Sequence, residues 1–318
     1  MKHVLLTGAN GFVGKVLLDQ LLAAGYRVSC ACTTPNPSPR EGVEQATLDI
    51  RDSDACVATL ERLKPTHIIH LAAISHVPTS FQDPLLTWNT NVIGSLNLLE
   101  AVKRKAPDAF VVFASSSEVY GEAFKTGVAL DESSPCLPMN PYAASKLAAE
   151  LAFEQYFKQG VRGVIARPFN HIGSGQSPDF VTASFARQIA LIESGKQVPV
   201  MQVGNLEACR DFLDVRDVCA AYLQLLELSD GRDHPRLFNI ASGQARRIRE
   251  ILEEMISQST VSISVELDPQ RLRPSDIPFA VGNCERIRDV LGWQPSTPLK
   301  DTLASLLADS RVRVVAEQ

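Results

Sequence analysis

The stretch Val4-Leu5-Leu6-Thr7-Gly8-Ala9-Asn10-Gly11-Phe12-Val13-Gly14 decides how this chain is read. A short apolar run meets three glycines and passes into a helix-like pattern, Phe12 to Ala24, with Gly25 placed to cap its end. Lacking a Cβ, Gly8 permits a tight turn, Gly11 lets the backbone approach a diphosphate, and Gly14 lets the helix pack closely on the strand. Amide hydrogens at the positive end of the helix dipole would hold the phosphates. The glycine spacing alone is a weak signal. A strand before it and a helix after it make Gly8, Asn10, Gly11, Phe12, Val13 and Gly14 a candidate dinucleotide cradle.

Outward from this stretch, strand-like and helix-like segments alternate. The expected strands are Val4 to Thr7, Arg27 to Ala31, His67 to Ala72, Phe110 to Ala114 and Gly163 to Arg167, with helical patterns at Phe12 to Ala24, Pro84 to Lys105 and Tyr142 to Gln159. Such alternation implies an α/β fold built on a doubly wound parallel sheet, the Rossmann layout. After Arg167 the pattern loosens into loops rich in Gly, Pro and Asn, with a helix-like Phe180 to Ser194. A helix at Asp217 to Glu227 and a strand at Arg236 to Ile240 bring the chain back to the first sheet. Two interleaved lobes are therefore expected. Residues 1–168 plus about 214–243 form the nucleotide-binding one, and about 169–213 plus 244–318 form a smaller substrate lobe.

Composition narrows the function. With 45% hydrophobic and 21% charged residues and a net charge of −5, the 318-residue chain reads as an ordinary globular protein. No overall basic field favours nucleic acid, and no apolar run reaches the ~20 residues that span a bilayer. The seven cysteines are scattered, without paired CxxC spacing, so reduced buried thiols are expected and a metal site is not. Lys2 and His3 lead straight into the first strand, which reads as core rather than signal peptide and points to the cytoplasm.

The second strand ends in Cys30-Ala31-Cys32-Thr33-Thr34, where an acid normally accepts hydrogen bonds from the ribose 2′-hydroxyl of NAD. No acid stands there, which favours NADP over NAD, although the usual arginine is missing too. Thr33, Thr34 or a folded-back Arg40 would meet the extra phosphate. Asp49 and Ile50 sit where a chain of this layout contacts the adenine; a solvated turn carboxylate is the plainer alternative for Asp49.

Downstream, Asn140-Pro141-Tyr142-Ala143-Ala144-Ser145-Lys146 combines an N-cap, a proline suited to the first turn, and a Tyr and a Lys on one helix face. An ammonium near the phenol would draw the Tyr142 pKa down from ~10 toward neutrality, and the same ammonium would hold the nicotinamide ribose. Ser115-Ser116-Ser117-Glu118 leaves the C-terminal end of the strand Phe110 to Ala114, where doubly wound folds place their ligands. A hydroxyl there would polarise a carbonyl together with the tyrosine.

In this order the glycine loop, serine loop and YxxxK resemble the extended short-chain dehydrogenase/reductase superfamily, along essentially the whole chain. Leu71-Ala72-Ala73 and Asn91-Val92-Ile93-Gly94 match its pattern as well. The resemblance implies Ser116 as the catalytic serine, Tyr142 as acid/base and Lys146 as its support. It adds Leu71, Ala72, Ala73 and Arg167 to the cofactor site. Arg167-Pro168-Phe169-Asn170-His171-Ile172-Gly173-Ser174-Gly175-Gln176, Val203 to Phe212, and Arg271-Leu272-Arg273-Pro274-Ser275-Asp276 are similar to stretches of GDP-4-keto-6-deoxy-D-mannose reductases. That similarity implies a GDP-sugar substrate contacted by Ser117, Asn170, Arg210, Arg273 and Asp276, arginine forks being suited to phosphate.

The implied reaction is reduction of the 4-keto group, giving a GDP-6-deoxyhexose, with GDP-D-rhamnose favoured. Glu118 keeps a second reaction open, because 4,6-dehydratases carry a Ser/Thr-x-Glu arrangement whose glutamate removes the proton at carbon 5. The basic Arg-Arg-Gly segment of GDP-mannose dehydratases is absent after Asn170, where Ile172-Gly173-Ser174-Gly175 stands instead. Epimerase chemistry and a catalytically silent dinucleotide sensor are the remaining alternatives. His70 reads as a packed core residue. Arg246, Arg247 and Arg249 read as a solvated helix start. Trp88, Leu96 and Leu99 lie on a long amphipathic helix, for which core packing is the plainer reading; packing against its copy, as the resemblance implies, would make a homodimer.

Overall fold

The computed structural model describes residues 2–36, 40–231, 233–271 and 277–317. In chain order the first half runs β1 (His3–Thr7), α1 (Phe12–Ala23), β2 (Arg27–Cys32), β3 (Glu44–Thr47), α2 (Ser53–Leu63), β4 (His67–His70), α3 (Val77–Gln82), α4 (Pro84–Trp88), α5 (Gly94–Lys105), β5 (Phe110–Ala114), α6 (Pro141–Lys158) and β6 (Arg162–Pro168). The second half runs β7 (Asn170–Ile172), α7 (Val181–Glu193), β8 (Val200–Val203), β9 (Cys209–Asp214), α8 (Val215–Leu226), β10 (Leu237–Ile240), β11 (Ala245–Arg247), α9 (Ile248–Ile256), β12 (Ser264–Leu267), β13 (Phe279–Ala280), α10 (Glu285–Leu291) and α11 (Leu299–Ala316).

Seven parallel strands form the main sheet in the order β10-β6-β5-β4-β1-β2-β3. Strand side chains alternate between faces. Val4, Leu6, Ile69 and Val112 enter one apolar layer with α1 and α8, while Leu5, Ile68, Val111 and Phe113 enter another with α2, α5 and α6. Covered on both faces, these strands read as unbroken apolar runs rather than alternating ones. A third cluster joins α7, α9 and α11 through Phe185, Ile189, Leu252, Met255 and Leu307. The fourth strand in chain order lies beside the first, so the loops after β1 and β4 diverge and open a crevice between them.

Three expectations need correction. The helix expected over Pro84 to Lys105 is interrupted by a wide π turn at Asn89–Ile93. At that turn the buried Asn91 accepts from the Ile74 amide at 2.8 Å and donates to the Ile74 carbonyl and the Ser145 hydroxyl. β4 ends at His70 rather than Ala72, because Leu71 to Ala73 turn away to line the crevice. Ala245–Arg247 is a strand antiparallel to β9 rather than the start of a helix; α9 begins at Ile248, and Arg249 pairs with Glu207. His70 is core, as expected. Its ring bonds Thr7 and Ser95, and burial holds its pKa down at about 3.

Candidate active site

A cleft of about 1230 Å³ runs along the C-terminal ends of β1, β4 and β5 and into the second lobe. At its floor Gly8 has a φ of +71°, and a Cβ there would lie 2.8 Å from the Ala72 amide nitrogen. A Cβ on Gly14 would lie 2.4 Å from the Gly8 carbonyl oxygen. The two glycines therefore let the first turn close on itself and on the loop after β4. The Asn10 amide donates to Cys32 Sγ and its side chain donates to the Thr34 carbonyl at 2.8 Å, tying the cradle to the end of β2. Phe12 stacks flat on His171, with centroids 6.1 Å apart, so the cradle also touches β7.

The expected cofactor residues Gly8, Asn10, Gly11, Phe12, Val13, Gly14, Thr33, Asp49, Ile50, Leu71, Ala72 and Ala73 all line this cleft. Asp49 is gripped by the Arg51 guanidinium, whose hydrogen bonds hold the carboxyl below its ordinary range. Two expectations fall elsewhere. Arg40 pairs with Asp19 on the surface at 2.6 Å and does not line the cleft. Arg167, expected at the cofactor, is 4% exposed beneath the cleft and forms a two-pronged pair with Glu150, Nε at 2.9 Å and Nη2 at 2.6 Å. A buried guanidinium takes the nearest carboxylate, which here is carried by α6.

Ser116, Ser117, Glu118, Tyr142 and Lys146 converge on the cleft. Asn140 caps α6, accepting from the Ala143 amide at 2.8 Å, and also donates to Glu118 at 3.1 Å. Ser80 accepts the Tyr142 amide at 3.2 Å, and Asn91 holds Ser145, so the helix start is fastened from two sides. The tyrosine differs from expectation: burial pushes Tyr142 up to about 12, the Ser116 hydroxyl opposing this and the Glu118 charge adding to it. The Lys146 Nζ donates to the Ala114 carbonyl at 2.7 Å and sits 5.0 Å from the Phe113 ring centroid. Burial lowers Lys146 to about 8, against the opposing pull of Glu150.

Of the expected substrate contacts, Ser117, Asn170 and Arg210 line the cleft. Arg210 is steadied by donating to the carbonyls of Cys209 and Ile277. Arg273 and Asp276 lie outside the described residues. Sequence reading missed Arg51, Arg271, His76 and Phe180 on the cleft wall; His76 and Phe180 meet edge to face, with centroids 6.1 Å apart. His76 lies three residues beyond the singled-out Leu71-Ala72-Ala73, a cue that was available. No group of His, Cys, Asp and Glu among the described residues has metal-holding geometry.

A glycine cradle at the strand crossover, facing a Tyr and Lys one helical turn apart, defines a nicotinamide-dependent oxidoreductase of the extended short-chain dehydrogenase/reductase class. Comparison with known proteins makes the assignment finer. The family model described as GDP-mannose 4,6 dehydratase matches residues 5–306, and the chain belongs to that family. The GDP-6-deoxy-D-mannose reductase of Pseudomonas aeruginosa is 37% identical over 98% of this chain and 99% of its own length. The human GDP-mannose 4,6 dehydratase is 29% identical over 95% and 90%. Among solved structures, RMD from Pseudomonas aeruginosa complexed with NADPH superposes with a TM-score of 0.84, 35% identity, and coverage of 98% and 100%. The Thermus thermophilus UDP-glucose 4-epimerase complex with NAD superposes with a TM-score of 0.85, 28% identity, and coverage of 97% and 99%.

Proposed function

We propose that this protein reduces the 4-keto group of GDP-4-keto-6-deoxy-D-mannose with NADPH, giving GDP-D-rhamnose. What carries the reading is the near-full-length match to a GDP-6-deoxy-D-mannose reductase, together with Ser116, Tyr142 and Lys146 on one cleft wall. NADPH is favoured over NADH because no carboxylate follows β2 to repel a 2′-phosphate, and the superposed RMD is complexed with NADPH. Residues 1–168 with 214–243 would hold the cofactor, and residues 169–213 with 244–318 the sugar nucleotide.

The glycine cradle fits a dinucleotide diphosphate, since a Cβ on Gly8 or Gly14 would collide with backbone. When bound, the reduced nicotinamide supplies a hydride to carbon 4 of the sugar. Ser116 orients the carbonyl, and Tyr142 donates the proton to its oxygen, a role suited to a phenol that burial keeps protonated. Lys146 holds the nicotinamide ribose. Asn170 and Arg210 hold the diphosphate of the substrate.

A homodimer fits the surface. Phe81 and Leu85 on α3 and α4 are 62% and 80% exposed, Trp88, Ile93 and Leu151 are exposed as well, and α4 packs against α6, which carries Leu151.

Glu118 favours a second reading, since it lines the cleft beside Ser116 and is held by Asn140. One assay separates the two. With GDP-4-keto-6-deoxy-D-mannose, NADPH oxidation giving GDP-D-rhamnose by NMR is expected, and Tyr142→Phe should slow it about 10²- to 10⁴-fold. Conversion of GDP-mannose to the 4-keto sugar without net cofactor use, and no NADPH oxidation, would make Glu118 a dehydratase base instead.

A further inference from the structure

Two consecutive residues at the end of β5 are fastened to two successive turns of α6. The Ala114 carbonyl accepts Lys146 Nζ at 2.7 Å and the Ser115 hydroxyl donates to Glu150, while the next residue, Ser116, lines the cleft with Tyr142. Tyr142, Lys146 and Glu150 are spaced four apart and so share one face of the helix. Two of the three belong to the catalytic set. The third has no assigned task, although it is 2% exposed and clamped from below by Arg167 of β6.

Burying a carboxylate and a guanidinium together is costly, and apolar residues of similar volume fill such space at least as well. Arg167 lies with its guanidinium carbon 4.8 Å from the Tyr120 ring centroid, and its Nη1 is buried without a hydrogen-bond partner among the described residues. The pair is therefore an expensive way to fill a core, and its placement one turn beyond Lys146 suggests what it is for.

We propose that Glu150 is a positioning residue of the catalytic helix, keeping Lys146 an ammonium while Ser115 locks the serine loop onto the same helix face. The proposal rests on the reductase reading for the task it gives Lys146. Burial alone drives the lysine toward its neutral form, and the Glu150 charge opposes this. Other titratable groups packed around this face are His70 from β4, Glu118 from the loop after β5, Arg167 from β6 and Tyr222 from α8. Burial keeps His70 neutral and raises the Tyr222 phenol, so neither offers Lys146 a counter-charge. Glu118 faces Tyr142, and Arg167 is a cation. Glu150 is thus the carboxylate coupled to Lys146.

The test compares wild type, Glu150→Gln and the double variant Glu150→Gln/Arg167→Met across pH 6 to 10. It reads NADPH affinity by nicotinamide fluorescence, kcat on the 4-keto sugar, and thermal melting. Removing the Glu150 charge lets Lys146 lose its proton earlier, so the alkaline limb of both profiles should move down by about one pH unit. Activity near pH 6 should be largely retained, which a merely structural lesion would not allow. In the double variant the shift keeps its sign and is smaller, because the cation leaves as well; this neutral pair tests the proposal if Glu150→Gln strands Arg167 and fails to fold. A folded variant with an unmoved limb overturns the proposal, and so does a double variant that melts below the assay temperature, since Glu150 would then serve folding alone. Should the reductase reading fail, even wild type leaves the keto sugar untouched, yet the NADPH-binding limb still reports the effect of Glu150.

Discussion

The two walls of the cleft are built in different ways. The cofactor wall is made of backbone and short side chains: Gly8 and Gly14 pass within contact of other main-chain atoms, and Asn10 and Asn91 tie loops to neighbouring loops. The second-lobe wall is made of longer side chains, Asn170, Arg210, Arg271 and Phe180, carried by strands and loops far apart in sequence. A wall of backbone fails by steric intrusion. A wall of side chains fails by loss of charge or hydrogen bonds, and it can be re-cut without disturbing the fold. The difference suggests why one scaffold recurs in relatives whose names carry a GDP-sugar in one case and UDP-glucose in another.

Three substitutions would break or sharpen this contrast. The largest effect belongs to Gly14→Ala. Its Cβ would meet the Gly8 carbonyl oxygen and Ala9 backbone, and overpacking of this kind costs about 1–3 kcal/mol. NADPH affinity should fall about tenfold or more, with a lower melting temperature; isothermal titration giving wild-type affinity would mean that the cradle is not rigid. Next comes Arg210→Ala. A lost charged hydrogen bond of about 1.5–3 kcal/mol should raise KM for the GDP-sugar roughly ten- to a hundredfold and leave NADPH affinity nearly unchanged. A parallel loss of cofactor affinity would show that the walls are not independent. The smallest effect on chemistry is expected from Leu85→Glu on the exposed face of α4: sedimentation should give half the wild-type mass while kcat per chain is kept. A wild-type protein that sediments as a monomer would remove the dimer instead.

Legibility followed the same division. The first cradle, YxxxK and the serine loop were readable because each is a contiguous run whose chemistry depends on helix and strand periodicity. The π turn at Asn89–Ile93 was not, since it follows from a buried asparagine reaching Ile74 and Ser145, which are distant in sequence. The Tyr142 environment was misjudged for a related reason. Spacing places Lys146 on the right face, but the direction of its ammonium, toward Ala114, comes from β5.

What the sequence determined by itself was the class of fold, the glycine cradle and the candidate catalytic tyrosine and lysine, because local spacing converts directly into shared faces and turn geometry. Only the tertiary structure decided where Arg167 goes. A guanidinium carried on a central strand must find its counter-charge inside the protein, and the approach of α6 supplies Glu150 at 2.6 Å.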